Sequence, residues 1–249
     1  MNIISYSQTV TNVLTKLKDS CGIEINVPEY PDNCIRYEKI TKPDDNGDGI
    51  KLDGSKGSWF VSRCSVSFDG IKDTSTLDEN LSTFNGALAV VRQCTFSDGV
   101  KLALCGNGDN PEADAKSVVI FDTCTFENFG RRAPEAQDGA IVVLNNCVIK
   151  NWGVGDYFDV RSFAAWAHSG GMIICMDCTF EQDRFWQCSP WKMIKDIANH
   201  VGNDINDKCL SWRSFIPGVC RGLMATDGGK VIAVRCGANK PWIRIEGQQ

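Results

Sequence analysis

Apolar residues cluster in short runs of strand length, such as Ala87-Leu88-Ala89-Val90-Val91, Ser117-Val118-Val119-Ile120-Phe121, Ala140-Ile141-Val142-Val143-Leu144 and Met172-Ile173-Ile174-Cys175. They are too short for helices and rich in β-branched residues, so each predicts a strand. Each run precedes a cysteine: the units Cys64-Ser65-Val66, Cys94-Thr95-Phe96, Cys124-Thr125-Phe126, Cys147-Val148-Ile149 and Cys178-Thr179-Phe180 recur at spacings of 30, 30, 23 and 31 residues. Polar or glycine-containing stretches such as Phe68-Asp69-Gly70, Ser97-Asp98-Gly99 and Lys150-Asn151-Trp152-Gly153 then close the unit as a turn. A strand–turn–strand unit repeating at roughly 20 to 50 residues is the mark of a solenoid in which each coil covers its neighbour. The expected fold is therefore all-β, a right-handed parallel β-helix over residues 1–249 as one domain.

The ends break the pattern. Val10, Val13, Leu14 and Leu17 fall at helical spacing between Ser7 and Asp19, which predicts a short amphipathic helix within an N-terminal cap, residues 1–25, over the first coil. Residues 181–215, with Trp186, Trp191, Trp212 and Phe215, read as an irregular loop or capping region with a short helix near Trp191 to Ala198.

Composition narrows the function classes. With 43% hydrophobic and 23% charged residues the chain is globular in type, and no apolar run approaches the roughly 18 residues of a membrane span. A net charge of −5 argues against a nucleic-acid partner held by a broad basic surface, so an anionic ligand requires a local basic site. The first residues, Met1 to Ser7, lack the basic and apolar regions of a secretory signal. The recurring cysteines are expected to stack as small buried hydrophobes, with disulfides or metal binding as alternatives. A zinc reading rests on Cys175-Met176-Asp177-Cys178, which has only His168 and His200 to complete it.

Four segments lie on successive coils and can share one groove: Asn46-Gly47-Asp48, Asp69-Gly70-Ile71-Lys72-Asp73, Lys101, and Arg131-Arg132-Ala133-Pro134. The first two supply carboxylates and the last two supply cations. Separated carboxylates suit a hard ion such as Ca2+, which takes oxygen ligands in flexible geometry. The alternative is that each aspartate serves a glycine-containing turn.

In order and spacing these segments resemble the pectate lyase family. The stretch from Cys94 to Asp109 is similar to that family's turn, lysine and polar loop, and Val118 to Pro134 to its strand, aromatic-Glu-Asn turn and Arg-x-Pro motif. Gly139 to Asn146 looks like the Asn-Asn strand that follows, Asp48 through Trp59 like an earlier Asp-x-Ile and Trp region, and Asp69 to Asp73 like a calcium motif. The likeness covers roughly residues 30 to 180. It implies a lyase that cleaves (1→4)-linked α-galacturonan by Ca2+-assisted β-elimination, with Asp48, Asp69 and Asp73 as metal ligands beside Asn46. Arg132 becomes the base, Lys101 a catalytic and substrate-binding cation, and Gln137, standing where the family has a second arginine, a further substrate contact. The resemblance also implies a secreted protein; a monomer acting on an acidic polysaccharide is expected.

An arginine base needs neighbouring positive charge, since its ordinary pKa lies near 12.5 or above. Arg132 has the alternative roles of orienting substrate or pairing with Glu135. The family's Trp-Ile-Asp-His segment appears as Trp59-Phe60-Val61-Ser62, without the Asp and His. A second reading of the whole chain is a non-catalytic β-helix, a lyase that has lost activity, binding polysaccharide or serving adhesion on Trp152, Tyr157 and Trp166.

Overall fold

The computed structural model describes residues 3–69, 77–106, 110–153, 163–182, 220–241 and 243–248. Three parallel seven-stranded sheets run the length of a right-handed β-helix. The first sheet stacks Asn33–Arg36, Trp59–Ser62, Leu88–Arg92, Val118–Asp122, Ile141–Asn145, Met172–Met176 and Lys230–Val234. The second stacks Lys39–Ile40, Ser65–Ser67, Thr95–Ser97, Thr125–Phe129, Val148–Trp152, Thr179–Glu181 and Gly237–Ala238. The third stacks Ile50–Asp53, Glu79–Phe84, Lys101–Cys105, Glu135–Ala136, Phe163–Ala167, Cys220–Ala225 and Ile243–Ile245.

The repeated cysteine marks the corner between the first two sheets. The residue before it, Arg63, Gln93, Thr123, Asn146, Asp177 or Arg235, takes a left-handed conformation with φ between 51° and 57° and turns the chain inward. Cys64, Cys94, Cys124, Cys147, Cys178 and Cys236 are all buried, and all ten cysteines whose side chains are described are free. Two residues on, Val66, Phe96, Phe126, Ile149 and Phe180 pair in register as one interior row. The Phe96 and Phe126 rings stack at 5.5 Å and 20°, with Phe121 edge-on to Phe126 at 5.2 Å. Cys175 and Cys178 both point into this core, because the left-handed Asp177 between them resets the alternation that would otherwise separate them. Among the described residues, only carboxylates group closely enough to share a metal.

The corner from the third sheet to the first repeats a different device. Asn85-Gly86, Asp138-Gly139, Ser169-Gly170 and Asp227-Gly228 each place two consecutive residues at positive φ, which makes a tight turn that glycine alone takes without cost at its second position.

The N-terminal helix, α1 (Ile3–Cys21), does not sit over the first coil. It lies along the outer face of the first sheet, where Tyr6, Val10, Val13 and Leu17 pack on the outward row Phe60, Val90, Ile120, Val143 and Ile174. A helix of that length spans about 28 Å, close to the extent of six rungs at about 4.8 Å. Tyr6 meets the Phe60 ring edge-on at 5.3 Å near one end, while Lys16 reaches Asn145 and Asp177 further along. Ile23, Ile25 and Val27 of the following segment pack on the same face. The expected cap at residues 1–25 is therefore a side cover, because the first sheet presents apolar residues outward as well as inward. The region expected to be irregular at 181–215 lies, beyond Gln182, outside the described residues.

Candidate functional site

The third sheet presents charge where the first presents apolar side chains. Its strands begin with Ile50, Glu79, Lys101 and Glu135, and the turns before the first, second and fourth bring Asp48, Asp78 and Arg132 to the same end of the sheet. Asp48 is fixed by its own loop: Asp44 Oδ1 accepts the backbone N–H groups of Asn46 and Asp48 at 2.9 and 3.0 Å. From there Asp48 Oδ1 accepts the N–H of Glu79, 3.1 Å away on the next coil, and Oδ2 pairs with Lys51 at 3.2 Å.

Glu79 is the centre of the arrangement. It is 2% exposed, and its Oε1 receives Lys101 Nζ at 3.0 Å and Arg132 Nη1 at 3.4 Å. Lys101 also contacts Asp78. Carboxylate oxygens of Asp48, Asp78 and Glu79 lie within 4.8 Å of one another. Burial, together with the negative charges of Asp48 and Glu135, pushes the Glu79 carboxyl up to about 7 against the pull of Arg132. Burial and the neighbouring Arg132 and Arg131 push Lys101 down to about 8. Each group is thus brought close to neutrality by a site short of water and crowded with its own sign of charge.

Arg132 takes a left-handed backbone conformation, φ 63°, and its guanidinium lies between two buried carboxylates, Glu79 and Glu135. The sequence alternative of a Glu135 partner is thus met, alongside the expected neighbourhood of Lys101. Gln137 is half-buried in the turn after Glu135–Ala136, where its backbone N–H donates to Cys105 O at 3.0 Å.

Of the expected calcium ligands that the structure describes, Asp48 joins the cluster. Asp69 is exposed in the turn that follows the second-sheet strand Ser65–Ser67, and Asp73 lies outside the described residues. Asp78 and Glu79 complete the cluster, one coil on from Asp48. The signal was the coil period itself: Asp48 and Glu79 are 31 residues apart, and both stand at the entry to the third sheet. Asp69 opens the same connection, from the second sheet to the third, that ends at Asp78 and Glu79. Asn46 is exposed and serves the loop through its backbone. Trp59-Phe60-Val61-Ser62 is a first-sheet strand with Phe60 under α1 and Val61 in the core, so its departures from the family pattern fall on another face. Trp152 and Trp166, 2% and 7% exposed, are packing residues rather than open sugar platforms, and Tyr157 lies outside the described residues.

A contact that no sequence motif points to extends the charged row. Glu135 Oε1 meets His168 Nε2 at 2.7 Å, and the His168 ring stacks on Trp166 at 4.1 Å and 25°. No family model matches the chain, and no curated protein matches it either.

Proposed function

We propose that the chain binds an acidic polysaccharide of uronate units and cleaves it by β-elimination, in the manner of a pectate lyase. The observation that carries this reading is the convergence of Lys101 and Arg132 on the buried Glu79, beside Asp48 and Asp78, on one side of the third sheet. A paired cation site next to clustered carboxylates offers both halves of what a uronate requires: charge to hold its carboxylate and a group to take the acidic proton beside it.

Arg132, flanked by two carboxylates, is a charged binding group in this reading and neutralises the sugar carboxylate. Lys101, lowered to about 8, is the better proton acceptor, because its neutral fraction rises through the slightly alkaline range. As Lys101 removes the proton at C5, the C–H electron pair forms the C4–C5 double bond and the glycosidic oxygen leaves from C4 to be protonated by water. Developing charge on the carboxylate is met by Arg132, a preorganised electrostatic contribution.

Asp48, Asp78 and Glu79 fit a Ca2+ ion in donor type, being hard oxygen ligands gathered within 4.8 Å, two of them buried. When bound there, the ion would supply further neutralisation of the substrate carboxylate. Lys51, Lys101 and Arg132 already pair with these carboxylates and compete for them, so calcium binding is expected to be weak.

The test is ultraviolet absorbance of the unsaturated product from polygalacturonate, with added calcium and with chelator. Product that rises with pH through about 8 supports the assignment. The clamping of Arg132 by two carboxylates favours a second reading, binding without cleavage; retention on polygalacturonate with no unsaturated product from folded, calcium-supplied protein would establish it and sink the lyase reading.

A further inference from the structure

Beyond Glu79, the charged row continues through groups that touch none of the carboxylates of the Asp48 cluster. His168 follows the strand Phe163–Ala167, and all three of its outward contacts are fixed. Its ring stacks on Trp166, which is itself tied down by Nε1 donating to Thr226 Oγ1 at 2.8 Å. Nε2 lies 2.7 Å from Glu135 Oε1, and Nδ1 lies 3.0 Å from Ser169 Oγ. Ser169 Oγ is in turn 3.4 Å from Asp227 Oδ2 on the next coil. Glu135 is fully buried and its other oxygen forms an ion pair with Arg132. One buried carboxylate is therefore shared between a permanent cation and an imidazole.

We infer that His168 is a positioning residue for Arg132, acting through Glu135 so that protonation of the imidazole loosens the Arg132–Glu135 pair and turns the guanidinium towards an anionic ligand. This rests on the reading of Arg132 as the uronate-binding cation.

The proton inventory supports both states. Neutral His168 donates from Nε2 to Glu135 and accepts from Ser169 at Nδ1. On protonation Nδ1 becomes a donor to Ser169 Oγ, whose hydroxyl proton turns to Asp227, so no hydrogen bond is lost and an imidazolium lies between two carboxylates. The charged groups facing the ring are Glu135, Asp138 and, through Ser169, Asp227, with Arg132 across Glu135. Once Glu135 is compensated by His168, its attraction for Arg132 is divided, while Glu79 still meets Arg132 from the other side.

Glu79 gains a proton near 7 and frees Arg132 in the same direction, so the experiment must remove the His168 contribution alone. His168→Gln keeps a donor for Glu135 but cannot take up charge. In nitrogen-15 NMR, the Arg132 Nε–H signal, assigned with Arg132→Lys, should move with the His168 imidazole titration in the wild type and lose that step in His168→Gln. Tetragalacturonate affinity should tighten about fivefold over the same titration, the low end of couplings between linked sites, and His168→Gln should lose that gain. Ser169→Ala, which removes the hydroxyl between His168 and Asp227, should shift the midpoint of both signals together.

An Arg132 signal that titrates identically in wild type and His168→Gln overturns the inference, as does a His168 ring that holds one charge state from about pH 5 to 8. If wild-type protein neither binds nor cleaves polygalacturonate, the uronan reading falls by itself, and the NMR coupling still decides the role of His168.

Discussion

The first and third sheets are built from the same coils and the same core, yet their outer faces are opposites. On the first, the outward row from Phe60 to Ile174 is apolar and lies under α1. On the third, the corresponding side presents Lys51, Glu79, Lys101 and Arg132, with acidic neighbours on successive coils. The inward rows of both are alike, small or branched apolar residues in one continuous core. Coil geometry therefore fixes where side chains go, and the outward row alone decides whether a face is covered or chemically active.

The harshest way to break this contrast is to put the chemistry of one face onto the other. Val143, fully buried beneath α1, replaced by Asp would leave a carboxylate with no partner in an apolar contact. A cost of about 5 kcal/mol or more is expected, seen as a collapse of the unfolding midpoint and protease cleavage within α1. A Val143→Asp protein as stable as wild type would show that the helix is not docked on this face.

Next in size is the loss of the site on the third face. Lys101→Met keeps the aliphatic stem and removes the proton acceptor, so product formation from polygalacturonate should fall about a thousandfold with the circular dichroism spectrum unchanged. Retained turnover would move the base elsewhere in the charged row.

The contrast also explains what the sequence disclosed. Strands, coil spacing, the inward Cys and Phe rows and the Lys101–Arg132 neighbourhood were readable because they repeat at a fixed period. The run Val118–Asp122 is buried at every position, and that lack of alternation is itself the sign of a strand covered on both faces. Strand length alone carries no sign of that outer cover, and so does not place α1 along the side of the solenoid. Asp78 and Glu79 are hard to read from sequence because a carboxylate one coil away from another leaves a weaker local signal than an aspartate–glycine turn. The His168–Glu135 contact joins residues 33 apart that share no motif, and only the stacking of coils brings them together.

A smaller, measurable difference lies in pH. The Glu79 carboxyl is raised from 4.5 to about 7, so the folded protein holds a proton there that the unfolded chain has released. Stability from this group is full below about 4.5 and is lost as pH rises through about 7, worth about 3 kcal/mol. Glu79→Gln should flatten that fall in the unfolding midpoint, while substitutions under α1 shift the midpoint at every pH alike. A wild-type slope unchanged in Glu79→Gln would place the proton uptake on another group.

The smallest expected effect belongs to neither face. Thr123 occupies the left-handed corner position, φ 57°, that Asn146 fills one coil later. A β-branched residue is strained there, whereas asparagine tolerates the conformation through its short polar side chain. Thr123 is exposed, so the exchange costs no core packing. Thr123→Asn should raise stability by about 0.5 to 1 kcal/mol, from relief of backbone strain, and leave polygalacturonate turnover and its pH profile as they were. Because the corner joins the first sheet to the second, a change in activity from this substitution would mean that the coil frame transmits strain to the third face, and the separation of frame from face would have to be given up.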